Sequence, residues 1–409
     1  MTAQEVSVSE RDGSAPGASL GIGMVGYAFM GRVHSHAWRT LPRVFDLPVA
    51  PVMTAICGRD EANAAAAADR LGWASYETDW RRLIERDDIG LIDICTPGDS
   101  HAEIAIAALE AGKHVLCEKP LANTVPEAAA MADAAARAAR GGVRSMVAFN
   151  YRRVPALALA RQLIADGRLG DIRHVRARYL QDWLVDPEFP LLWRLRKEKA
   201  GSGALGDLGA HIVDLAHFLT GDVLTGVSAL TETFVTRRPL PAGPGSGISG
   251  SAQASGDGSG AGEVTVDDCA LFFGRFVGGA VASFEATRFA TGRRNGMSIE
   301  VNGSLGSLWF DFESMNELHF HDGAEDPATA GFRRILVTEP THPYLEAWWP
   351  PGHVLGYEHT FTHELRDLLA AIGEGRDPAP SFADGLRVQR VLAAVESSAE
   401  DGSWQPVEG

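Results

Sequence analysis

Short apolar runs alternate with longer amphipathic stretches along the first 150 residues. The runs predict strands over 20–25, 52–57, 89–95, 115–117 and 145–149. The stretches predict helices from 32 onward and over 61–71, 80–85, 101–111 and 126–140. Asp93 is the one polar interruption inside the third strand, and Thr124 followed by Pro126 marks a helix start. Strands alternating with helices this regularly predict an α/β domain with a doubly wound parallel sheet over residues 19–150.

After residue 150 the pattern changes. A helix at 155–167 and a strand at 172–179 lead to an aromatic, polar stretch without periodicity. A helix follows over 207–219. Runs at 227–235, 269–276, 280–286, 297–301 and 308–312 then alternate apolar and polar positions, which predicts a large, mostly antiparallel open sheet. Helices at 361–372 and 382–397 close an α+β domain spanning 151–400. Residues 239–262 are nearly all Pro, Gly, Ser and Ala and predict a disordered insertion. Residues 1–18 are polar, lack the apolar segment of a secretory leader and predict a disordered tail.

Composition narrows the function classes. A net charge of -16 over 409 residues opposes binding to nucleic acid or to an anionic membrane. No run approaches the ~20 apolar residues of a membrane span. Cys57, Cys95, Cys117 and Cys269 are scattered without metal-ligand spacing. They predict reduced thiols in the cytoplasm, with neither a metal nor disulfides.

The first strand ends in Gly26-Tyr27-Ala28-Phe29-Met30-Gly31. A literal Gly-x-Gly-x-x-Gly also occurs at 21, 23 and 26, but it would put a phosphate turn inside the strand. Gly26-x-Ala28-x-x-Gly31 falls between strand and helix, where a dinucleotide turn belongs. The next strand ends at Gly58-Arg59, where an NAD-preferring fold usually has a carboxylate on the ribose hydroxyls. Arginine there can bind a 2′-phosphate, so the cofactor reading is NAD(P), leaning slightly to NADP with NAD left open. Arg59 on adenine, or in solvent, is the alternative. Glu118-Lys119-Pro120 ends another predicted strand, on the side of the sheet that faces the ligand crevice.

Three stretches together carry a family resemblance: residues 26–34, Thr96-Pro97 followed by His101, and 111–120 ending in Glu118-Lys119-Pro120. They resemble the Gfo/Idh/MocA oxidoreductases, relatives of glucose–fructose oxidoreductase, inositol dehydrogenase and the rhizopine-catabolism proteins. The resemblance runs from about residue 20 to about 375 and departs from the family pattern at Ala28 and Gly58. It implies a Rossmann domain whose Gly26, Ala28, Phe29, Met30, Gly31, Thr96, Pro97, His101, Glu118 and Lys119 meet the cofactor. It also implies a homodimer or homotetramer built on the exposed face of the second sheet.

In the second half, Gly201, Gly203 and Gly206 lead into a helix carrying Asp207 and His211, four residues apart and so on one face. An isolated aspartate in a first turn is more often a helix-dipole partner, and an isolated apolar-helix histidine is more often core. The pair behind a glycine-rich entry resembles the family's catalytic element. Oxidising a secondary alcohol needs a base that titrates near neutrality, a role assigned to His211. Lys119 is assigned to the same oxygen, stabilising developing alkoxide charge. Asp207 is expected to orient the substrate or His211. Arg152, Trp183, Trp193 and Tyr357 are further candidate substrate contacts. Tyr357 lies in a loop, 341–360, rich in Trp, Pro and His, with Trp349 and His353 beside it as candidates.

The function expected is an NAD(P)-dependent dehydrogenase acting on a secondary hydroxyl of a sugar, anhydrosugar or polyol, with sugar-oxidising members of levoglucosan type among the likenesses. Two alternatives stand beside it: an NAD-dependent glycosidase that oxidises transiently, and a catalytically silent nucleotide-sensing regulator.

Overall fold

The computed structural model describes residues 19–241 and 260–408. The expectations for the tail at 1–18 and for the middle of the 239–262 insertion fall outside those residues.

Six parallel strands form the first sheet: β1 (Ser19–Val25), β2 (Ala50–Cys57), β3 (Ser75–Glu77), β4 (Leu91–Ile94), β5 (His114–Glu118) and β6 (Ser145–Ala148). Their order is β3-β2-β1-β4-β5-β6, with the chain reversing its winding direction beside β1. The helices are α1 (Phe29–Val44), α2 (Glu61–Leu71), α3 (Trp80–Glu85), α4 (His101–Glu110) and α5 (Val125–Ala139). The central strands are apolar where both faces are covered, as parallel sheets require, whereas the edge strand β3 reads Ser-Tyr-Glu and is partly exposed. Every residue of β4 is buried, Asp93 included.

One detail of the dinucleotide turn differs from the pattern-based expectation, and another agrees with it. The helix α1 starts at Phe29, three residues early. The reason is Gly31, which packs inside the first turn where a Cβ would lie 2.2 Å from the Gly26 carbonyl oxygen. Gly21 and Gly23 lie inside β1, not in the turn. A Cβ on Gly21 would meet the Asp88 carbonyl oxygen at 1.8 Å, so that glycine serves strand packing.

The chain crosses to the second sheet through α6 (Pro155–Ala165) and β7 (Ile172–Leu180). A short helix α7 (Lys197–Ala200), a π-turn at Leu205–Gly209 and α8 (Ala210–Thr220) come before β8 (Leu224–Glu232). Arg237–Pro239 (β9) and Ala261–Glu263 (β10) pair as a separate ladder at the two ends of the predicted insertion. Then come β11 (Cys269–Phe276), β12 (Val281–Thr287), β13 (Gly296–Gly303), β14 (Gly306–Asp311), β15 (Glu317–Asp322), β16 (Arg333–Leu336) and, at the end, β17 (Gln405–Pro406).

Nine strands run in the order β16-β15-β14-β13-β7-β12-β11-β8-β17. All neighbours are antiparallel except β7 and β12. Pattern reading missed β3, β15 and β16, which are short and partly exposed; β16, at the sheet edge, carries charge, as edge strands often do. One face of this sheet is packed by α6 and α8. The other exposes Leu230, Leu271, Phe273 and Val281.

The last two helices, α9 (Tyr357–Glu374) and α10 (Phe382–Asp401), return to the first sheet. The former packs along α1 and the latter against α5 and β8, so α10 joins the two sheets. Among the described residues no helix is long and apolar enough to cross a membrane.

Candidate active site

The carboxyl ends of β1, β4 and β5 face the amino end of α8 across a cavity of about 440 Å³. On the sheet side it is lined by Ala28, Phe29, Met30, Thr96, Pro97, His101, Glu118 and Lys119. The opposite wall comes from Tyr151, Tyr179, Gln181, Trp193, Arg194, Asp207, His211, Arg288, Asn295 and Tyr357.

The dinucleotide turn has the features a pyrophosphate needs. Gly26 has φ +100°, and a Cβ there would meet the Cys95 carbonyl oxygen at 2.8 Å. Ala28 is the N-cap of α1 and makes no side-chain cap, and the first turn holds no acidic residue. The leading N–H groups of a 16-residue helix are thus free of a side-chain cap, which favours an anion. The residues present fit a nicotinamide dinucleotide.

Lys119 closes the opposite side. Its Nζ donates to the Asp207 carbonyl oxygen at 2.7 Å and pairs with Asp207 Oδ1 at 3.2 Å. Asp207 sits in the π-turn, whose entry is tied down by Asp267. The Asp267 carboxylate accepts from Gly203 N–H at 2.6 Å and Leu205 N–H at 2.8 Å. Gly203 is needed there because a Cβ would lie 1.7 Å from the Asp267 carbonyl oxygen. Sequence reading did not find Asp267, which lies some sixty positions downstream with no motif around it.

Burial raises the affinity of Asp207 for a proton, but the charges of Lys119, Arg194 and Arg288 outweigh it and hold the carboxyl well below the usual carboxylate range. His211 goes down for two reasons that add: burial first, then the Lys119 charge, opposed by Asp207. It is therefore a neutral imidazole at physiological pH. Its Nδ1 is buried without a hydrogen-bond partner. The ring is held edge and face by Tyr151 at 4.6 Å, Tyr179 at 5.8 Å and Phe149 at 6.1 Å.

The tyrosines do not compete for the base role. Burial pushes Tyr151 up to about 12 and raises Tyr179 and Tyr357 well above the ordinary phenol value. They stay protonated and act as hydrogen-bond partners. Trp183 Nε1 donates to Gln181 Oε1 at 2.9 Å, and Gln181 Nε2 donates to Asn295 Oδ1 at 2.8 Å. Tyr179 Oη donates to the same Asn295 oxygen at 2.8 Å, which leaves Tyr151 Oη to donate to Tyr179 at 2.6 Å. The Tyr151 oxygen thereby keeps lone pairs for a ligand hydroxyl. Tyr151, Tyr179, Gln181 and Asn295 were not among the expected site residues. The polar-aromatic segment that begins at Gln181 hinted at one of them, but Asn295 has no local signal.

Among the expected residues, Arg152 and Trp183 do not line the cavity. Arg152 is buried against Asp214, donating from Nε at 2.8 Å and from Nη2 at 2.5 Å. A guanidinium that follows the last parallel strand was free to point either way, and the buried carboxylate of α8 captured it. Asp214 is spent on the same pair. Trp183 lies one step behind the wall, packed edge-on against Phe189 at 5.3 Å. Arg59 is exposed past the end of β2, outside the cavity. Of the candidates in the Trp-rich stretch, Tyr357 is not in a loop but opens α9, and it reaches the cavity. Trp349 is 53% exposed and His353 Nδ1 lies 2.9 Å from the Pro350 carbonyl oxygen, so neither does. His101 does line the cavity, yet its ring nitrogens face the carbonyl oxygens of Thr96 (2.9 Å) and Pro120 (3.0 Å). It ties two strand ends together.

Comparison with known proteins agrees with this geometry. Residues 20–148 match the model of an oxidoreductase family with an NAD-binding Rossmann fold, and residues 157–309 match the GFO/IDH/MocA C-terminal domain. The chain is 44% identical over 391 residues to levoglucosan dehydrogenase of Pseudarthrobacter phenanthrenivorans, covering 95% of this chain and 98% of the relative. An oxidoreductase domain protein from Kribbella flavida superposes with a TM-score of 0.91 at 65% identity, covering 96% of this chain and 100% of that one. A levoglucosan dehydrogenase structure in complex with NADH and levoglucosan superposes with a TM-score of 0.88 at 42% identity, covering 96% and 100%.

Proposed function

Because this chain belongs to the Gfo/Idh/MocA oxidoreductases, we propose that it oxidises a secondary hydroxyl of an anhydrosugar of the levoglucosan kind, passing hydride to a nicotinamide dinucleotide. The observation that carries the proposal is the meeting of Lys119, Asp207 and a neutral His211 on one cavity beside the dinucleotide turn.

The bound cofactor supplies the hydride acceptor. The chain's own residues handle the proton and the charge. His211 takes the hydroxyl proton, since an uncharged imidazole held in place by three aromatic rings is free to accept it. Lys119 donates to the same oxygen and offsets the alkoxide charge that develops as hydride leaves. Asp207 positions the Lys119 ammonium through two contacts. Tyr151 accepts from a neighbouring hydroxyl, and Trp193 covers an apolar ring face.

For the cofactor, we take NAD as the working form, supported by the NADH held in relatives 42% identical. Arg59 at the end of β2 is the group an added 2′-phosphate would meet, so NADP is the second cofactor to titrate. The exposed apolar face of the second sheet, with Phe273 66% and Leu230 61% exposed, supports a homo-oligomer joined there. Four free cysteines, three of them buried, support a reducing cytoplasmic setting.

The test is nicotinamide absorbance with purified protein, NAD⁺ or NADP⁺, and a panel of anhydrosugars, free sugars, inositols and glycosides. Reduced cofactor is expected with levoglucosan-type substrates. Cofactor binding without reduced product on any member would overturn the dehydrogenase. Glycoside cleavage in the same wells would then point to transient oxidation, and silence to a sensor.

A further inference from the structure

Beneath the cavity lies a group of buried charges that the reaction does not use directly. His34, 1% exposed, projects from the second turn of α1 into the parallel sheet. Its Nδ1 lies 3.0 Å from both Asp93 oxygens in the middle of β4. Its Nε2 lies 3.0 Å from Glu118 Oε1 at the end of β5. The other Glu118 oxygen accepts the Lys119 backbone N–H at 3.0 Å. Trp38 Nε1 donates to Asp93 at 2.8 Å from the far side. The ring also packs on Phe361 of α9 at 5.4 Å.

Both nitrogens of this imidazole face carboxylates, and a carboxylate only accepts, so the ring bridges them as a double donor. Burial alone would favour the neutral ring, but the Asp93 charge and hydrogen bond hold its pKa well above the ordinary histidine value. The titratable groups facing it are Asp93 from β4, Cys95 just past the end of that strand, Glu118 from β5 and, further off, Glu364 from α9. Without the ring, two buried carboxylates would lose the cation between them.

We propose that His34 is a positioning residue for the reaction: it clamps Glu118, and Glu118 in turn fixes the backbone of Lys119 so that the ammonium stands over Asp207 and beside His211. The same helix carries Phe29 and Met30 of the dinucleotide turn one turn earlier. The clamp therefore ties the place of the cofactor to the place of the lysine. Its counterpart is His101, which holds the Pro120 and Leu121 carbonyl oxygens from the other side of that turn. The inference rests on the assignment of Lys119 to the reacting oxygen.

The experiment compares His34→Gln, Glu118→Gln and a core truncation in α10, Val391→Ala, with the full-length wild type. Gln at 34 satisfies one carboxylate and fails the other. Gln at 118 keeps an acceptor and the side-chain size, and carries the test should the first variant not fold. Both are expected to lower kcat by about 10- to 100-fold, the loss that an ångström-scale misplacement brings. The KM for the sugar and the Kd for NADH, read by fluorescence titration, should stay within about threefold. The acid limb of kcat should move to higher pH, because a displaced Lys119 no longer depresses His211. Val391→Ala, which removes buried methyl groups away from the clamp, should lower the melting temperature and leave kcat unchanged. A crystal structure of either Gln variant reads the clamp without reference to the reaction, with the Lys119–Asp207 contact expected to be lost. Folded Gln variants with wild-type kcat, an unmoved acid limb and that contact still at 3.2 Å would overturn the proposal. So would kcat falling in step with melting temperature in all three. A lost contact with unchanged kcat would instead keep the clamp and refute the role of Lys119.

Discussion

Two buried histidines of this protein have been driven in opposite directions. His34 lies under the sheet between two carboxylates and is held as a cation. His211 lies on the cavity wall between aromatic rings and near an ammonium, with Nδ1 unpartnered, and is held neutral. Burial acts alike on both, penalising charge. What differs is the nearest ion: a hydrogen-bonded carboxylate at 3.0 Å for one, a lysine for the other. The lesson is that depth does not decide protonation by itself. A satisfied buried histidine holds structure, whereas an unsatisfied neutral one is available for proton transfer.

Removing the proton-transfer group tests this contrast most severely. His211→Ala and Lys119→Ala should each lower turnover by about 10²- to 10⁴-fold while leaving NADH affinity nearly intact, as steady-state kinetics and fluorescence titration would show. Near-normal turnover in both would dissolve the distinction between the two histidines.

Acid should then expose the difference in stability. His211 and His363 are neutral in the fold, the latter pushed down to about 3 by burial, with Trp348 donating to its Nε2 at 2.7 Å. Unfolded, both take protons below about 6.5. The unfolded state thus binds more protons, and stability falls as pH drops below 6.5, by about 1.4 kcal/mol per unit for His363 down to about 3, with His211 acting in the same direction. His34 has the reverse sign. Its contribution is complete below 6.5 and fades only as pH rises through its raised value. Chemical denaturation across pH 4–7 should show the slope, and His363→Gln should lessen it. The activity profile should agree: kcat/KM should hold down to a pH below 6.5 before the acid limb begins.

The smallest effect concerns a neighbour of the clamp. Glu364 on α9 is buried, neither oxygen has a hydrogen-bond partner, and burial pushes it up to about 8. Protonated in the fold and ionised in the unfolded chain above about 4.5, it lowers stability as pH rises from 4.5 to 8. Glu364→Gln should flatten that part of the curve, with a gain of about 1–3 kcal/mol at pH 8. An unchanged curve would mean that the carboxyl finds a partner in solution.

Much of this was readable in one dimension. The alternation of short apolar runs and amphipathic helices contained the parallel sheet, because burial on both faces leaves the central strands apolar. The turn at Gly26 to Gly31 and the strand end at Glu118-Lys119-Pro120 were readable because each needs particular residues at adjacent positions. Asp207 and His211 were readable because a helical turn converts sequence spacing into proximity. In the second sheet, the edge strand β16 escaped notice because Arg-Arg-Ile-Leu has no alternation, and β15 because only two apolar residues, Leu318 and Phe320, mark it among polar ones.

The sequence by itself determined the fold class and the dinucleotide turn through local pattern, and the Asp207–His211 pair through helical spacing, while the meeting of Lys119 with that pair across 88 positions was implied only by the family resemblance. Only the tertiary structure decided that Arg152 belongs to Asp214 and not to the cavity, that Asp267 ties down the turn carrying Asp207, and that Asn295 gathers the hydrogen bonds of the cavity wall. It alone brought His34, Asp93 and Glu118 together from three elements. The physical reason is the same in each case. A charged or polar side chain takes whichever partner the fold buries beside it, and partners separated by tens of residues leave no periodic trace along the chain.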